Sequence, residues 1–207
     1  MPAAARSNPA PTGAVSIALV GLPGSGKTTV GRQLARLLGL SFVDSDQAIE
    51  QRLGVPIREY FARHGESAFR DVESAVIDEL AGRPAQVLAT GGGSVLRPSN
   101  RDALHSRSHV VYLHATPDAL ARRLRHDTQR PLLQVADPLQ RLRELHAQRD
   151  PLYRRTAHVV VDSAHPSVRH LASLVRSRLE EAGAIAVPAS SAAPAPSAPP
   201  DRLDDGR

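Results

Sequence analysis

Val15-Ser-Ile-Ala-Leu-Val20 runs straight into Gly21-Leu-Pro-Gly-Ser-Gly-Lys-Thr28, and a helical pattern begins at once. An apolar run of strand length, a glycine-rich turn and a helix start read together as strand, phosphate loop, helix. Gly21, Gly26, Lys27 and Thr28 fall at the spacing G-x-x-x-x-G-K-[ST]. Glycines at such a turn let backbone N–H groups curl round an anionic oxygen, and the helix N-terminus adds its positive dipole end. The stretch therefore suits a polyphosphate, held by Gly24, Ser25, Gly26, Lys27, Thr28 and Thr29.

Among 26 basic residues Lys27 is the only lysine. A sequence otherwise built with arginine has kept one compact, flexible ammonium, at the position that reaches β- and γ-phosphate oxygens, and leaves the Thr28 hydroxyl for Mg²⁺. A planar guanidinium fork would fit poorly there. A plain glycine-rich turn before a helix would not account for that lysine.

The 207 residues suit one domain with a real core. Residues 1–13 are rich in Ala and Pro, and 182–207 run through Pro188-Ala-Ser-Ser-Ala-Ala-Pro-Ala-Pro-Ser-Ala-Pro-Pro200. Few side chains in either segment could repay the entropy of ordering, so both are expected to be disordered around a folded domain at 14–181. The absence of cysteine rules out disulfides and thiolate metal ligation. No apolar run approaches a membrane span and no signal-peptide apolar region is present, so a cytoplasmic monomer is expected. The net charge is +5, but three Tyr and three Phe offer little base stacking and no long basic run exists. Many arginines instead stand singly beside motif residues, which suits small anionic ligands better than a nucleic acid.

Strand and helix periods then alternate along the chain. Leu40 to Asp44 is a short strand ending in Asp44-Ser-Asp46, two carboxylates where open α/β sheets keep their ligands. Each aspartate is equally well read as a helix N-cap. Ala48 to Leu53 and Ile57 to Phe61 are short helices, the second closed by His64-Gly65. Glu66 to Leu80 is a longer helix with Phe69, Val72, Val76, Ile77 and Leu80 on one face. Arg70 and Glu73, three apart on another face, are either a surface ion pair or a glutamate orienting an arginine toward a carboxylate. Gln86 to Thr90 is a strand meeting Gly91-Gly-Gly93, which exposes backbone N–H groups. Val110 to His114 is the fourth strand, followed by Thr116 as N-cap, Pro117, and a helix carrying Arg122, Arg123 and Arg125. Residues 127–137 lack either period and are a candidate lid. Pro138 to Gln148 is a helix, Ala157 to Asp162 the fifth strand and Val168 to Leu179 the closing helix. The nine histidines show no ligand spacing, and none is assigned a metal. This alternation gives an α/β fold, a parallel sheet with helices on both faces.

Five motifs in order resemble one family. Phe61-Ala-Arg-His-Gly-Glu-Ser-Ala-Phe-Arg-Asp-Val-Glu73 has the F-x-x-x-G-E-x-x-F-R-x-x-E form of shikimate kinases, and lies between the D-x-D and G-G-G those enzymes carry. Arg130-Pro-Leu-Leu133 resembles their lid motif and Arg149-Asp-Pro-Leu-Tyr153 their R-x-P-L-Y, so the resemblance runs from Val15 to Leu179. It implies a three-layer, nucleoside-monophosphate-kinase-like P-loop fold with a five-stranded parallel sheet in the order 2-3-1-4-5. It also implies transfer of the ATP γ-phosphoryl group to the 3-hydroxyl of shikimate, in the route to aromatic amino acids. Position by position, Asp46, Arg70, Gly91, Gly92, Gly93 and Arg149 correspond to shikimate contacts, Thr28 and Asp44 to the Mg²⁺ site, and Arg130 to the lid arginine that meets ATP.

The ligand's chemistry agrees. One carboxylate and three hydroxyls call for arginine forks, supplied by Arg70 and Arg149, and for a carboxylate acceptor and backbone amides, supplied by Asp46 and the glycine triplet. Lys27, Asp46 and Arg130 are the expected catalytic residues, Asp46 accepting the hydroxyl proton. One departure is the segment Asp162-Ser-Ala-His-Pro166, which lacks the basic adenine-side residue expected there; Arg123 is a substitute candidate. Competing readings are a related metabolite kinase such as gluconate kinase, a non-catalytic nucleotide-binding protein, or a nucleic-acid-binding protein that uses its charge.

Overall fold

The computed structural model describes residues 15–125, 135, 137–164 and 167–186. The expected lid arginine, Arg130, and the expected disordered segments, 1–13 and all of 182–207 after residue 186, lie outside these residues. Five strands, β1 (Ile17–Val20), β2 (Ser41–Asp44), β3 (Gln86–Ala89), β4 (His109–His114) and β5 (Val159–Asp162), form one sheet in the order β2-β3-β1-β4-β5. All four pairings are parallel. The expected topology is thus the observed one. Among the described residues seven helices cover it: α1 (Lys27–Leu38), α2 (Ser45–Leu53), α3 (Ile57–Ala81), α4 (Pro98–Arg107), α5 (Pro117–Leu124), α6 (Pro138–Thr156) and α7 (Val168–Glu181).

Why β1 lies central is visible in its residues. Ile17, Ala18, Leu19 and Val20 are all fully buried, as an uninterrupted apolar run requires when helices cover both faces. Successive strand side chains point to opposite faces. Ile17 and Leu19 accordingly join Val30 and Leu34 of α1 and Val175 and Leu179 of α7. Ala18 and Val20 join Ile49, Phe69, Ile77, Leu104, Leu142 and Tyr153 on the opposite side.

Local chemistry fixes most element ends. Asp44, Thr116, Asp137 and Ser167 cap α2, α5, α6 and α7, each accepting a main-chain N–H inside the first turn. Gly65 (φ 78°, ψ 178°) interrupts α3 where a break between two helices was expected. Three details depart from the sequence reading. Helix α4 has no counterpart among the expected elements, because Ala103 and Leu104 are its only buried apolar residues and carry no visible period. Helix α6 continues through Pro151 to Thr156 rather than ending near Gln148; its neighbours in the core outweigh one lost N–H. Packing also runs past the expected boundary at Ala182, since Ala184 is buried and Ile185 rests on the same cluster. Among the described residues no helix is long and apolar enough to cross a membrane.

Candidate active site

The C-terminal ends of β1, β2 and β3 converge with the N-termini of α1 and α2, and the expected site residues collect there. The loop between β1 and α1 turns on Gly24 (φ 84°) and Gly26 (φ 96°), conformations open to glycine and strained for other residues. Lys27 Nζ donates to the carbonyls of Gly21 (2.7 Å) and Leu22 (3.0 Å), so the ammonium is folded over the loop. Ser25 Oγ is buried without a hydrogen-bond partner among the described residues. A buried hydroxyl left unsatisfied is costly, and a phosphate oxygen is the kind of acceptor that would relieve it.

The two aspartates separate cleanly in role. Asp44 is the N-cap: its Oδ1 accepts from the Asp46 N–H at 3.0 Å. Its Oδ2 accepts from Thr28 Oγ1 at 2.9 Å. The cap reading therefore belongs to Asp44, and Asp46, in the first turn of α2, is left for chemistry. A hydroxyl and a carboxylate oxygen side by side at the phosphate loop form a hard-oxygen donor set of the sort Mg²⁺ takes. Asp46 as a residue is exposed to the cleft, but protein atoms crowd its carboxylate. Burial, then Asp44 nearby, push it up to about 6 against the opposing pull of Lys27.

The glycine triplet lines the cleft by close approach. A β-carbon on Gly93 would lie 2.5 Å from Arg70 Nη1. On Gly92 it would lie 2.8 Å from Pro23 of the phosphate loop. Ser45 Oγ accepts from the Gly91 N–H at 2.9 Å, and Ser94 Oγ donates to the Gly91 carbonyl at 2.9 Å. Asn100, buried on α4, donates to the Ser94 carbonyl at 2.9 Å. The turn is thus fixed from three sides, one of them the helix missed in the sequence.

Arg70 and Glu73 resolve as a part-buried pair. Glu73 is 1% exposed and accepts from Arg70 Nη1 at 2.7 Å, while Glu66 Oε1 accepts from Nε and Nη2. Burial alone would lower the Arg70 guanidinium, but Glu73 and Glu66 more than offset it and hold it above its ordinary value. Arg149 comes from α6 on the other side of β1. Its Nη1 donates to the Gly92 carbonyl at 3.0 Å, its Nε is buried without a partner among the described residues, and Tyr153, one turn on, donates to the same carbonyl at 2.6 Å. Burial pushes the Tyr153 phenol up, so it remains a donor. The two cationic forks and the Asp46 carboxylate therefore meet at one glycine turn, with Pro23 of the phosphate loop against it. Arg123 stands apart: its guanidinium bonds to the hydroxyl and carbonyl of Ser163, just after β5.

Ser45, Ser94, Asn100 and Tyr153 are supporting residues that sequence reasoning passed over. Tyr153 lay inside a recognisable motif and Ser45 stood at the variable position of D-x-D; Ser94 and Asn100 carry no local signal.

Comparison with known proteins agrees with this geometry. The family model described as shikimate kinase matches residues 23–180. A shikimate kinase of Paracidovorax citrulli is 58% identical over 172 residues, 82% of this chain and 94% of the relative. The solved shikimate kinase from Acinetobacter baumannii, in complex with shikimate, is 45% identical with a TM-score of 0.78, covering 81% of this chain and 94% of that one. A gluconokinase from Sinorhizobium meliloti superposes with a TM-score of 0.52 at 24% identity, over 83% of this chain and 93% of that one, a likeness of fold alone. Phosphate loop, paired forks and sequence agree, and the chain belongs to the shikimate kinase family.

Proposed function

We propose that this ATP-dependent phosphotransferase moves the γ-phosphoryl group of ATP to the 3-hydroxyl of shikimate with Asp46, Lys27, Arg70 and Arg149 in the roles their positions suggest. The observation that carries the reading is the set of groups around one cleft: a carboxylate beside the phosphate loop, with Arg70 and Arg149 beyond it. Arg70, oriented by Glu73, and Arg149, through its unpartnered Nε, take the shikimate carboxylate. The glycine triplet and Asp46 take its hydroxyls. Asp46 accepts the proton of the 3-hydroxyl as the new bond to the γ-phosphorus forms and the bond to the β,γ-bridging oxygen breaks, giving shikimate 3-phosphate and ADP. A carboxylate raised to about 6 is well matched to that task near neutral pH.

Lys27 exchanges its loop carbonyls for phosphate oxygens, and Ser25 and the loop N–H groups hold the phosphates with Gly24, Gly26, Thr28 and Thr29. Thr28 and Asp44 are the residues that would hold Mg²⁺, directly or through water, and the ion would neutralise charge on the transferred group. Arg123 flanks the adenine side, and Arg130 belongs to the lid. In this reading the enzyme works as a cytoplasmic monomer, with residues 1–13 and the tail beyond Ile185 outside the folded domain.

ADP release measured over a panel of shikimate and sugar acids tests the assignment. Turnover with shikimate alone is expected; equal turnover with gluconate would favour the gluconokinase-like reading, and slow hydrolysis stimulated by no acceptor would favour a nucleotide-binding switch.

A further inference from the structure

Away from the cleft residues, three ligand-bearing side chains meet where β4 ends. His114 closes β4, and His146 and Asp150 stand four apart on α6, hence on one face of that helix. One donor atom from each lies within 4.8 Å of the other two. His146 Nε2 lies 3.7 Å from Asp150 Oδ1. That is too long for a hydrogen bond, and the nitrogen is buried without a partner among the described residues. The His114 and His146 rings meet edge to face at 5.7 Å. A buried imidazole nitrogen with nothing to bond, aimed at a carboxylate just out of reach, lacks a third party between them.

A metal ion has the right size and chemistry. Two donors on one tetrahedral ion, each at about 2.0–2.1 Å, stand about 3.3 Å apart, so the observed spacing needs only a small side-chain adjustment. Asp150 is already oriented for the purpose: Tyr112 donates to its Oδ1 at 2.9 Å and Arg154 Nε to its Oδ2 at 2.7 Å. Outer partners of this kind commonly fix a ligating carboxylate. Each carboxylate oxygen accepts more than one partner, so these bonds leave room for an ion.

We propose that His114, His146 and Asp150 bind a divalent transition ion of the zinc class, with water completing its coordination. Two imidazoles and one carboxylate suit Zn²⁺, Co²⁺ or Ni²⁺, whereas Mg²⁺ prefers oxygen donors. The site is therefore distinct in chemistry from the Thr28–Asp44 pair, and it does not depend on the kinase reading. It revises the expectation that no histidine holds a metal: the i,i+4 spacing of His146 and Asp150 was visible, but the third ligand comes from a different element. Bound there, the ion clips α6, which carries Arg149 and Tyr153, to β4.

Full-length protein, stripped with chelator and kept in excess Mg²⁺, is titrated with Co²⁺ and then Zn²⁺. One equivalent of Co²⁺ is expected to give visible absorption bands that Zn²⁺ abolishes. Zn²⁺ at about a hundredfold excess over its Kd should raise Tm by roughly 5–10 °C. His114→Gln, His146→Gln and Asp150→Asn should each weaken binding at least about tenfold, while His105→Gln, altered in a separate group of histidines, should bind as wild type does. Metal-free Tm values establish that each variant is folded. Undiminished binding in both His114→Gln and His146→Gln, or no binding by wild type up to about 100 μM, some 5.5 kcal/mol of affinity, overturns the proposal.

Discussion

Asp46 and Gly91 stand so close across the cleft that a β-carbon on the glycine would lie 2.5 Å from Asp46 Oδ1. The two come from different strand ends, β2 and β3, so the carboxylate's position is set by the register of the sheet as well as by its own helix. Gly91→Ala should push the carboxylate aside, a cheap movement for the end of a side chain. We expect kcat to fall about ten- to a hundredfold, the effect of displacing a general base, with Tm nearly unchanged. Steady-state kinetics beside a melting curve decides this; a large loss of Tm with normal kcat would mean that the backbone yields instead.

The raised pKa of Asp46 has consequences of opposite sign for rate and stability. Proton acceptance needs the carboxylate, so kcat/KM should fall as pH drops through about 6. For stability, a folded value above the ordinary 3.8 means that the native state favours the protonated form. The penalty for the charged form is absent below 3.8, grows between 3.8 and about 6, and is complete above. Asp46→Asn should therefore be inactive yet melt higher than wild type at pH 7.5, the two curves converging near pH 4. A variant that melts lower at neutral pH would show that the carboxylate stabilises the fold.

His158 should make the protein sensitive to acid. Its Nδ1 accepts the Val110 N–H at 3.0 Å, a role open only to the neutral ring that carries its proton on Nε2. Burial first, then His105, stacked at 4.1 Å, and His109 lower its pKa. A histidine depressed in the native state contributes fully above the ordinary value of 6.5 and loses that contribution as pH falls below it, because the unfolded chain takes up the proton first. Wild type should thus lose more Tm between pH 7.5 and 5.5 than His158→Asn, whose side-chain oxygen keeps the acceptor. Equal losses would remove His158 as the cause.

Lys27 and Arg149 should fail in different constants. In the proposed mechanism Lys27 stabilises charge that moves during transfer, so Lys27→Ala should lower kcat at least about a hundredfold. In the proposed arrangement Arg149 faces a carboxylate whose charge is the same in the ground and transition states, so Arg149→Ala should raise the shikimate KM about ten- to a hundredfold with a smaller change in kcat. Kinetics with each substrate varied separately checks the split, and exchanged phenotypes would misplace the acceptor site. Because Arg149 is buried, Tm of the variant is measured alongside.

Legibility followed how local each feature is. The sheet order came with the family resemblance, and the strands themselves were readable because Val15 to Val20, Gln86 to Thr90 and Val110 to His114 are apolar runs that only covered strands bury. Asp44, Asp46, Arg70 and Arg149 could be singled out as candidates because their motifs are short and ordered. What the sequence left open was which aspartate caps and whether Arg70–Glu73 is a surface pair, since both depend on what α2 and α3 face. Asn100 and Ser94 were invisible for the same reason: a buried polar residue acquires meaning from the carbonyl it meets, and that carbonyl lies on another element. Helix α4 was missed because its apolar face is two residues wide.

The grip of Arg149 and Tyr153 on the Gly92 carbonyl reaches from α6 across the central strand to the turn after β3. On the proposed assignment, acceptor recognition is consequently not a module confined to β2, β3 and their helices. A chimera that took only that half from a relative with another acceptor would inherit a glycine turn whose anchors belong to the wrong parent. Exchange of specificity by recombination would have to carry α6 along with it, so that the two halves descend together.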